Sequence, residues 1–328
     1  MHHNDHVIST ICQPTRPVAP TRPQLIATDL DGTLLRDDKS LSPRTVAALA
    51  AAEKAGIEVI FVTGRNPRWM DVVSAHVPGH GLAICGNGAA VVDLHGGPQA
   101  HRFVKVRELL RENALDTVRL LREAAPGTAY AVEHTYSFYR EPAFPKIHME
   151  VPDGLLPAEE ILAPDGRGVV EPVLKILAFH PDLEPDSFLR LARLAVGDRA
   201  NVTRSSPSAL LEINGLGVSK ATTLALYCSE RGISPEEVVA FGDMPNDIEM
   251  LNWAGRSYAM GNAHPDVIAA ASEHTVANND DGVAVVIEQI LSCPEFYRSG
   301  APEGTPFCDS FGTDSIDHVS ATAEEWTQ

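Results

Sequence analysis

The chain has 328 residues, with 26 Lys plus Arg against 44 Asp plus Glu and a formal net charge of −18. That length allows two domains with sizeable cores, its 44% hydrophobic content is ordinary for a globular protein, and no apolar run is long enough to span a membrane. The acidic balance argues against a nucleic-acid backbone as main partner, yet it allows a small phosphate ester, because a site's local field can oppose the sign of the whole molecule.

Residues 1–22, "MHHNDHVISTICQPTRPVAPTR", hold neither a basic leader nor an apolar core segment, so no signal peptide is expected and a disordered tail is predicted. "QLIATD" follows as a short buried strand. "SPRTVAALAAAEKAG" predicts a helix with Ser42 as N-cap, Pro43 in the first position and Gly56 just past the end. "IEVIFVTGR" and "GLAICGNG" predict two more strands. Near-continuous apolar strands alternating with helices indicate a parallel sheet covered on both faces.

From about Gly88 to Gly215 the texture changes. "TAYAVEHT", "SFYRE", "VLKILAFH", "RANVTRSS" and "SALLEING" read as strands in antiparallel hairpins, with helices near 107–124 and 185–196. The first of these helices is amphipathic through Leu109, Leu110, Leu115, Val118 and Leu121, which core packing explains without a partner. Some 125 residues exceed any loop, so an α+β unit is predicted to interrupt the core at 89–215. The core is then 23–88 plus 216–292, with two chain crossings between the units. In "GLGVSKATTLALYCSERG", Ser219 caps a helix that Gly232 ends. "VVAFGD" is a strand, "NDIEMLNWAG" a helix and "SYAMGNA" a strand. The segment 293–328 is acidic, without sustained periodicity, and is predicted to be disordered. Five scattered cysteines (Cys12, Cys85, Cys228, Cys293, Cys308) lack C-x-x-C spacing, which fits reduced thiols and a cytoplasmic location.

Three predicted core strands end in polar residues: Asp29 and Asp31 after the first, Thr63-Gly64-Arg65 after the second, and Asp243 with Asn246 and Asp247 after "VVAFG". Parallel strands align their carboxyl ends along one edge, where ligands bind. Asp29, Asp31, Thr63 and Asp243 are therefore expected in one crevice. Three carboxylates with few cations imply a hard metal, Mg²⁺ above others. Lys220, at a helix start, adds an ammonium where anions are already favoured. Taken singly, each signal has an ordinary reading: D-x-D-G as a turn, "TGR" as a strand end, a lone Lys as a solvated side chain, "GDMPND" as a helix cap. Their joint occurrence, each at an element's end, is the stronger observation.

These residues resemble the haloacid dehalogenase-like hydrolase superfamily, and within it the Cof-type phosphatases, whose large α/β cap sits between the second and third motifs. "DLDGTLL" matches the first motif, "VTGR" the second, Lys220 the third and "GDMPNDIEML" the fourth. "CGNGAAV" and "MGNAHPDVIAAASEHTVANNDDGVAVVI" are similar to the same subgroup, and the resemblance runs from Pro23 to Ser292. One departure is Ala221 after the motif Lys, where many relatives have Gly; Ala is the better helix former.

The resemblance implies a Rossmann-like core with an inserted α+β cap and a Mg²⁺-dependent phosphatase of a small phosphorylated metabolite. Asp29 is the implied nucleophile and Asp31 the general acid, then base. The metal is implied on the Asp29 carboxylate, the Asp31 backbone carbonyl and Asp243. Thr63, the Gly64 amide and Asn246 are implied to hold phosphoryl oxygens, Lys220 to neutralise them, and Asp247 to orient Lys220 or metal-bound water. Arg65 stands to touch ligand or to form a structural ion pair. Asn87 stands to carry the chain into the cap or to face substrate. His134, His148 and His180 are expected at the surface or in the substrate pocket, not as zinc ligands. A phosphomutase or phosphotransferase on the same scaffold, and a non-catalytic phosphometabolite sensor, are the alternatives.

Overall fold

The computed structural model describes residues 22–74, 81–96, 101–146, 151–163, 168–206 and 208–293. His148, Cys12, Cys308 and nearly all of both expected tails lie outside the described residues.

The first strand, β1 (Leu25–Thr28), is buried along its whole length, as a strand covered on both faces must be. It leads into α1 (Pro43–Lys54), where Ser42 accepts from the Thr45 amide at 2.9 Å and Pro43 occupies the first turn. β2 (Glu58–Val62), α2 (Asp71–Ser74) and β3 (Leu82–Cys85) follow. A tight turn over Gly86–Gly88 then reverses the chain into β4 (Ala90–Asp93), and β5 (Arg102–Val106) returns beside it.

The next stretch holds α3 (Arg111–Ala124), β6 (Ala129–His134), β7 (Phe138–Arg140), β8 (Gly154–Leu155), α4 (Ala158–Ile161), β9 (Val173–Phe179), α5 (Pro185–Val196), β10 (Ala200–Thr203) and β11 (Leu210–Gly215). The chain closes with α6 (Lys220–Arg231), β12 (Val238–Gly242), α7 (Ile248–Trp253), β13 (Arg256–Ala259), α8 (Pro265–Ala270), β14 (Glu273–His274) and α9 (Gly282–Ser292).

Two sheets result. The eight-stranded sheet has the order β14-β13-β12-β1-β2-β3-β4-β5, parallel from β14 to β3 and antiparallel beyond. The six-stranded sheet has the order β10-β11-β9-β6-β7-β8, antiparallel except for the β7–β8 pair. This is the expected α/β architecture with a parallel core. Each sheet builds its own apolar cluster, around Leu25, Ile60 and Phe241 in one and Tyr130, Ile176 and Phe188 in the other.

One boundary moves. The inserted unit was placed from residue 89, whereas β4 and β5 extend the large sheet by antiparallel pairing. The chain crosses between Arg107, whose amide donates to Ala89 O, and Leu109, whose amide donates to Val173 O in the second unit. The Arg107 guanidinium holds that crossing against the returning one, donating to Thr222 Oγ1, Thr223 Oγ1 and Gly217 O. Accordingly α3 starts at Arg111; Leu109, Leu115, Val118 and Leu121 are buried, and Leu110 lies half exposed outside the apolar stripe. Among the described residues no helix is long and apolar enough to cross a membrane.

Candidate active site

The order β12-β1-β2 places three strand ends side by side. Thr28 is in register with Phe241 on one side and Phe61 on the other, so Asp29, Asp243 and Thr63 emerge together at the carboxyl edge where the strand order reverses. All three are buried. Glycine is required beside them: Gly32 has φ +77°, and a Cβ there would lie 2.3 Å from Asp243 Oδ2. Across the turn Thr33 Oγ1 donates to Asp243 Oδ1 at 2.8 Å.

Lys220 enters from the start of α6, fixed by Ser219, whose Oγ accepts from the Thr222 amide while its own amide donates to Thr222 Oγ1. Its ammonium, 1% exposed, donates to Asp29 Oδ1 and Asp247 Oδ1, each at 2.6 Å. Asp247 Oδ2 accepts the amides of Asp243 and Met244 at 3.1 and 3.0 Å. Asp247 therefore orients Lys220 and shapes the loop after β12. Carboxylate oxygens of Asp29, Asp243 and Asp247 lie within 4.8 Å of one another.

Three buried carboxylates share one ammonium. Burial raises the Asp29 carboxyl well above its usual range, and Asp247 and Asp243 raise it further against the pull of Lys220. Burial and Asp247 push Asp243 up to about 7. Lys220 is held protonated by Asp247 and Asp29 despite the cost of its own burial. At about 4 Å and an effective dielectric of about 20, one like-charge pair costs about 4 kcal/mol. With both Asp247 oxygens engaged by Lys220 and by the Asp243 and Met244 amides, the Asp29 and Asp243 carboxylates are the oxygens that would suit a hard dication such as Mg²⁺.

A pH dependence follows. Asp243 binds its proton more tightly folded than unfolded, so between about pH 4 and about pH 7 the folded state holds more protons and loses stability as pH rises. Metal-free protein is expected to melt lower at pH 8 than at pH 5.5, by less than Asp243 alone would give, because His134, held down to about 4 by burial, gains stability as pH rises past 5.5; saturating Mg²⁺ should remove the Asp243 part of the difference. Equal Mg²⁺-induced shifts of Tm at both pH values would refute the account.

Asp31 lines the same crevice as Asp29 and Thr63, but its carboxylate is held in an ion pair. Arg65 grips its carboxylate with two bonds, Nε to Oδ2 at 2.5 Å and Nη2 to Oδ1 at 2.7 Å, and Lys39 Nζ donates to Oδ1 at 2.8 Å. Partial burial would raise this carboxyl, but Arg65 and Lys39 win and bring it to about 2. Of the two roles open to Arg65, the ion pair is the one observed. Asn87, in the left-handed region with φ +55°, accepts from Asn246 Nδ2 at 3.0 Å and donates to Glu212 Oε2 at 2.7 Å. It thus ties the large sheet to the second one. At Gly64 a Cβ would come 3.1 Å from Asn87 Oδ1, and the Gly64 carbonyl accepts from Lys175 Nζ at 2.6 Å.

A cavity of about 750 Å³ opens between the two sheets, with Asp29, Asp31, Thr63 and Asn246 on one wall and Glu133, Lys175 and Glu212 on the other. Those last three, together with Lys39 and Trp69, are lining residues that motif reasoning missed. The histidines differ from expectation as well. His134 and His180 are buried, and neither lines this cavity. His134 packs edge-on to Tyr139, and burial pushes it down to about 4. His180 Nδ1 accepts the amides of Asp182 and Leu183 and shapes a turn. Cys85, Cys228 and Cys293 are free thiols.

Comparison with known proteins bears on this geometry. The family model described as haloacid dehalogenase-like hydrolase matches residues 26–287. The chain is 29% identical over 266 residues to the 5-amino-6-(5-phospho-D-ribitylamino)uracil phosphatase YcsE of Bacillus subtilis, covering 80% of this chain and 94% of that one. It is 30% identical over 283 residues to YitU, a phosphatase of the same name from the same organism, covering 83% and 99%. A solved haloacid dehalogenase-like hydrolase from Bacillus subtilis superposes with a TM-score of 0.69 at 25% identity, covering 81% of this chain and 99% of that one. The chain belongs to the haloacid dehalogenase-like hydrolase family and is a phosphatase of its Cof-type branch.

Proposed function

We propose that this phosphatase is Mg²⁺-dependent and hydrolyses a small soluble phosphate monoester in the cytoplasm through an aspartyl-phosphate on Asp29. The observation that carries the reading is the buried Lys220 ammonium shared between Asp29 and Asp247 at the strand ends, beside Thr63 and Asp243. Mg²⁺, held by the Asp29 and Asp243 carboxylates and the Asp31 carbonyl, would supply positive charge that offsets repulsion between carboxylate and phosphate.

In the proposed first half-reaction Asp29 attacks phosphorus while the bond to the ester oxygen breaks, and Asp31 gives that oxygen a proton. In the second, water attacks the same phosphorus, its proton passes to Asp31, and the bond to Asp29 breaks, returning the carboxylate. Thr63 Oγ1, the Gly64 amide, the second N–H of Asn246 and Lys220 are the proposed donors to phosphoryl oxygens. Asp31 as found here, paired with Arg65 and Lys39, is in its base form. Donation requires that it leave that pair and take up a proton.

YcsE and YitU are named for an ester whose alcohol carries a ribityl chain and amino groups. A substrate of that size, a sugar phosphate or related metabolite, is our reading for this chain. The test is release of free phosphate from a panel of small esters, with Mg²⁺ or with EDTA and without any bisphosphate activator. Release that requires Mg²⁺ supports the proposal. Turnover undiminished by EDTA would overturn the metal dependence, and a requirement for a bisphosphate would move the reading to a mutase.

A further inference from the structure

The wall opposite Asp29 carries a buried acceptor with nothing to accept from. Glu133 sits on β6 among Ala131 and Val132, is 0% exposed, and lines the cavity. Its Oε2 receives Asn66 Nδ2 at 3.3 Å and lies 3.7 Å from Lys175 Nζ. Its Oε1 has no hydrogen-bond partner among the described residues. Lys175 is already committed, to Gly64 O at 2.6 Å and Glu212 Oε1 at 2.7 Å. Since Gly64 and Asn66 both belong to the loop that follows Thr63, Glu133 is tied to the phosphoryl end of the site through the Lys175 ammonium and the Asn66 amide.

Buried carboxylate oxygens are almost always paired, and an unpaired one is costly. The exceptions in cavities are filled by water or ligand. We propose that Glu133 is a specificity residue whose Oε1 accepts a hydrogen bond from a hydroxyl or N–H on the substrate's leaving group. The inference rests on the phosphatase reading and deepens it. It disfavours a second anion at this wall, where two carboxylates, Glu133 and Glu212, already lie against the Lys175 ammonium, with Arg68 the further cation that acts on Glu133. The favoured substrate class is a monophosphate whose alcohol is donor-rich and otherwise uncharged.

The experiment compares kcat/KM for ribitol 5-phosphate, which offers hydroxyls, for N-acetyl-O-phosphoethanolamine, which offers only an amide N–H, and for phenyl phosphate, which offers neither. The native protein is expected to favour one of the first two over phenyl phosphate, and that one names the donor. Glu133→Met should shrink the preference by about 10- to 100-fold, the worth of one hydrogen bond to a charged group, through KM more than kcat. Glu133→Gln, which keeps an acceptor oxygen, should restore part of it. A preference ratio unchanged in Glu133→Met, with both esters falling together or neither, would overturn the proposal by making Glu133 a packing residue. So would native selectivity for fructose 1,6-bisphosphate over fructose 6-phosphate. Phosphate release from no ester would sink the phosphatase reading instead. In that event calorimetric binding of ribitol 5-phosphate and phenyl phosphate to Asp29→Asn, with and without Glu133→Met, decides the role of Glu133 by the same ratio.

Discussion

Asp29→Asn is expected to lower kcat/KM for phosphate release by on the order of 10⁴-fold or more, the scale on which loss of a covalent nucleophile is felt. Folding should survive. Asn has the same shape and still offers an oxygen to the Lys220 ammonium, which now donates to Asp29 Oδ1 at 2.6 Å. It also removes one of three clustered carboxylates, whose mutual repulsion and burial raise the Asp29 carboxyl. The metal-free variant should therefore melt no lower than the native protein at pH 8. Phosphate release and thermal melting on the same preparation check both halves. Turnover within tenfold of native would sink the nucleophile assignment. A collapse of Tm would mean instead that the Asp29–Lys220 pair holds the fold, and the activity loss would carry no mechanistic weight.

Which parts of this were legible beforehand follows from how local each signal is. Ser42 with Pro43 and Ser219 with Gly232 mark helix ends through bonds made within three or four residues, and both helices are bounded as read. Asp29, Thr63 and Asp243 could be brought together because parallel strands must align their carboxyl ends. By contrast, β4 and β5 are short, and β5 is a largely exposed edge strand. Nothing in their residues says which sheet they join. The place of Asp31 in the crevice could be read from its motif, but its carboxylate's pairing could not, because that is set by Arg65, 34 residues away, and by Lys39 in a loop with φ +66°.

Glu133, Lys175 and Glu212 were hidden for a related reason. Each is a single charge inside an apolar strand, in "AYAVEH", "VLKILAF" and "LLEING". A charge at such a position is a usable sign, because it is rarely buried unpaired. Its partner still comes from another strand, and only the register of β6, β9 and β11 supplies it. There Glu133 faces Lys175 directly and Glu212 faces Leu177, two residues along from Lys175 on the same side of β9. Sheet register in a two-sided unit is not written locally.

Lys220→Met tests the other half of the mechanism and has the larger expected effect on stability. Lys220 is the ammonium between Asp29 and Asp247, and all three groups are buried. Removing one partner of a buried ion pair leaves the other charges uncompensated, at a cost of about 3–5 kcal/mol. Here two carboxylates lose their cation at once, so they will take up protons, and the metal-free variant should lose more stability than the native protein as pH rises through neutrality. Mg²⁺ should return part of that stability, because a dication can stand against the same oxygens. It should not return activity, because Lys220 is also proposed to meet the phosphoryl charge as it develops. A fall in kcat of about 10³-fold or more at saturating Mg²⁺ is expected. Lys220→Arg should not rescue, since two bonds of 2.6 Å onto a single nitrogen leave no room for the wider guanidinium. Activity within tenfold of native in Lys220→Met would remove the lysine from the phosphoryl site. Unaltered melting across pH 5.5–8 would instead refute the view that one ammonium is what permits three carboxylates to be buried together.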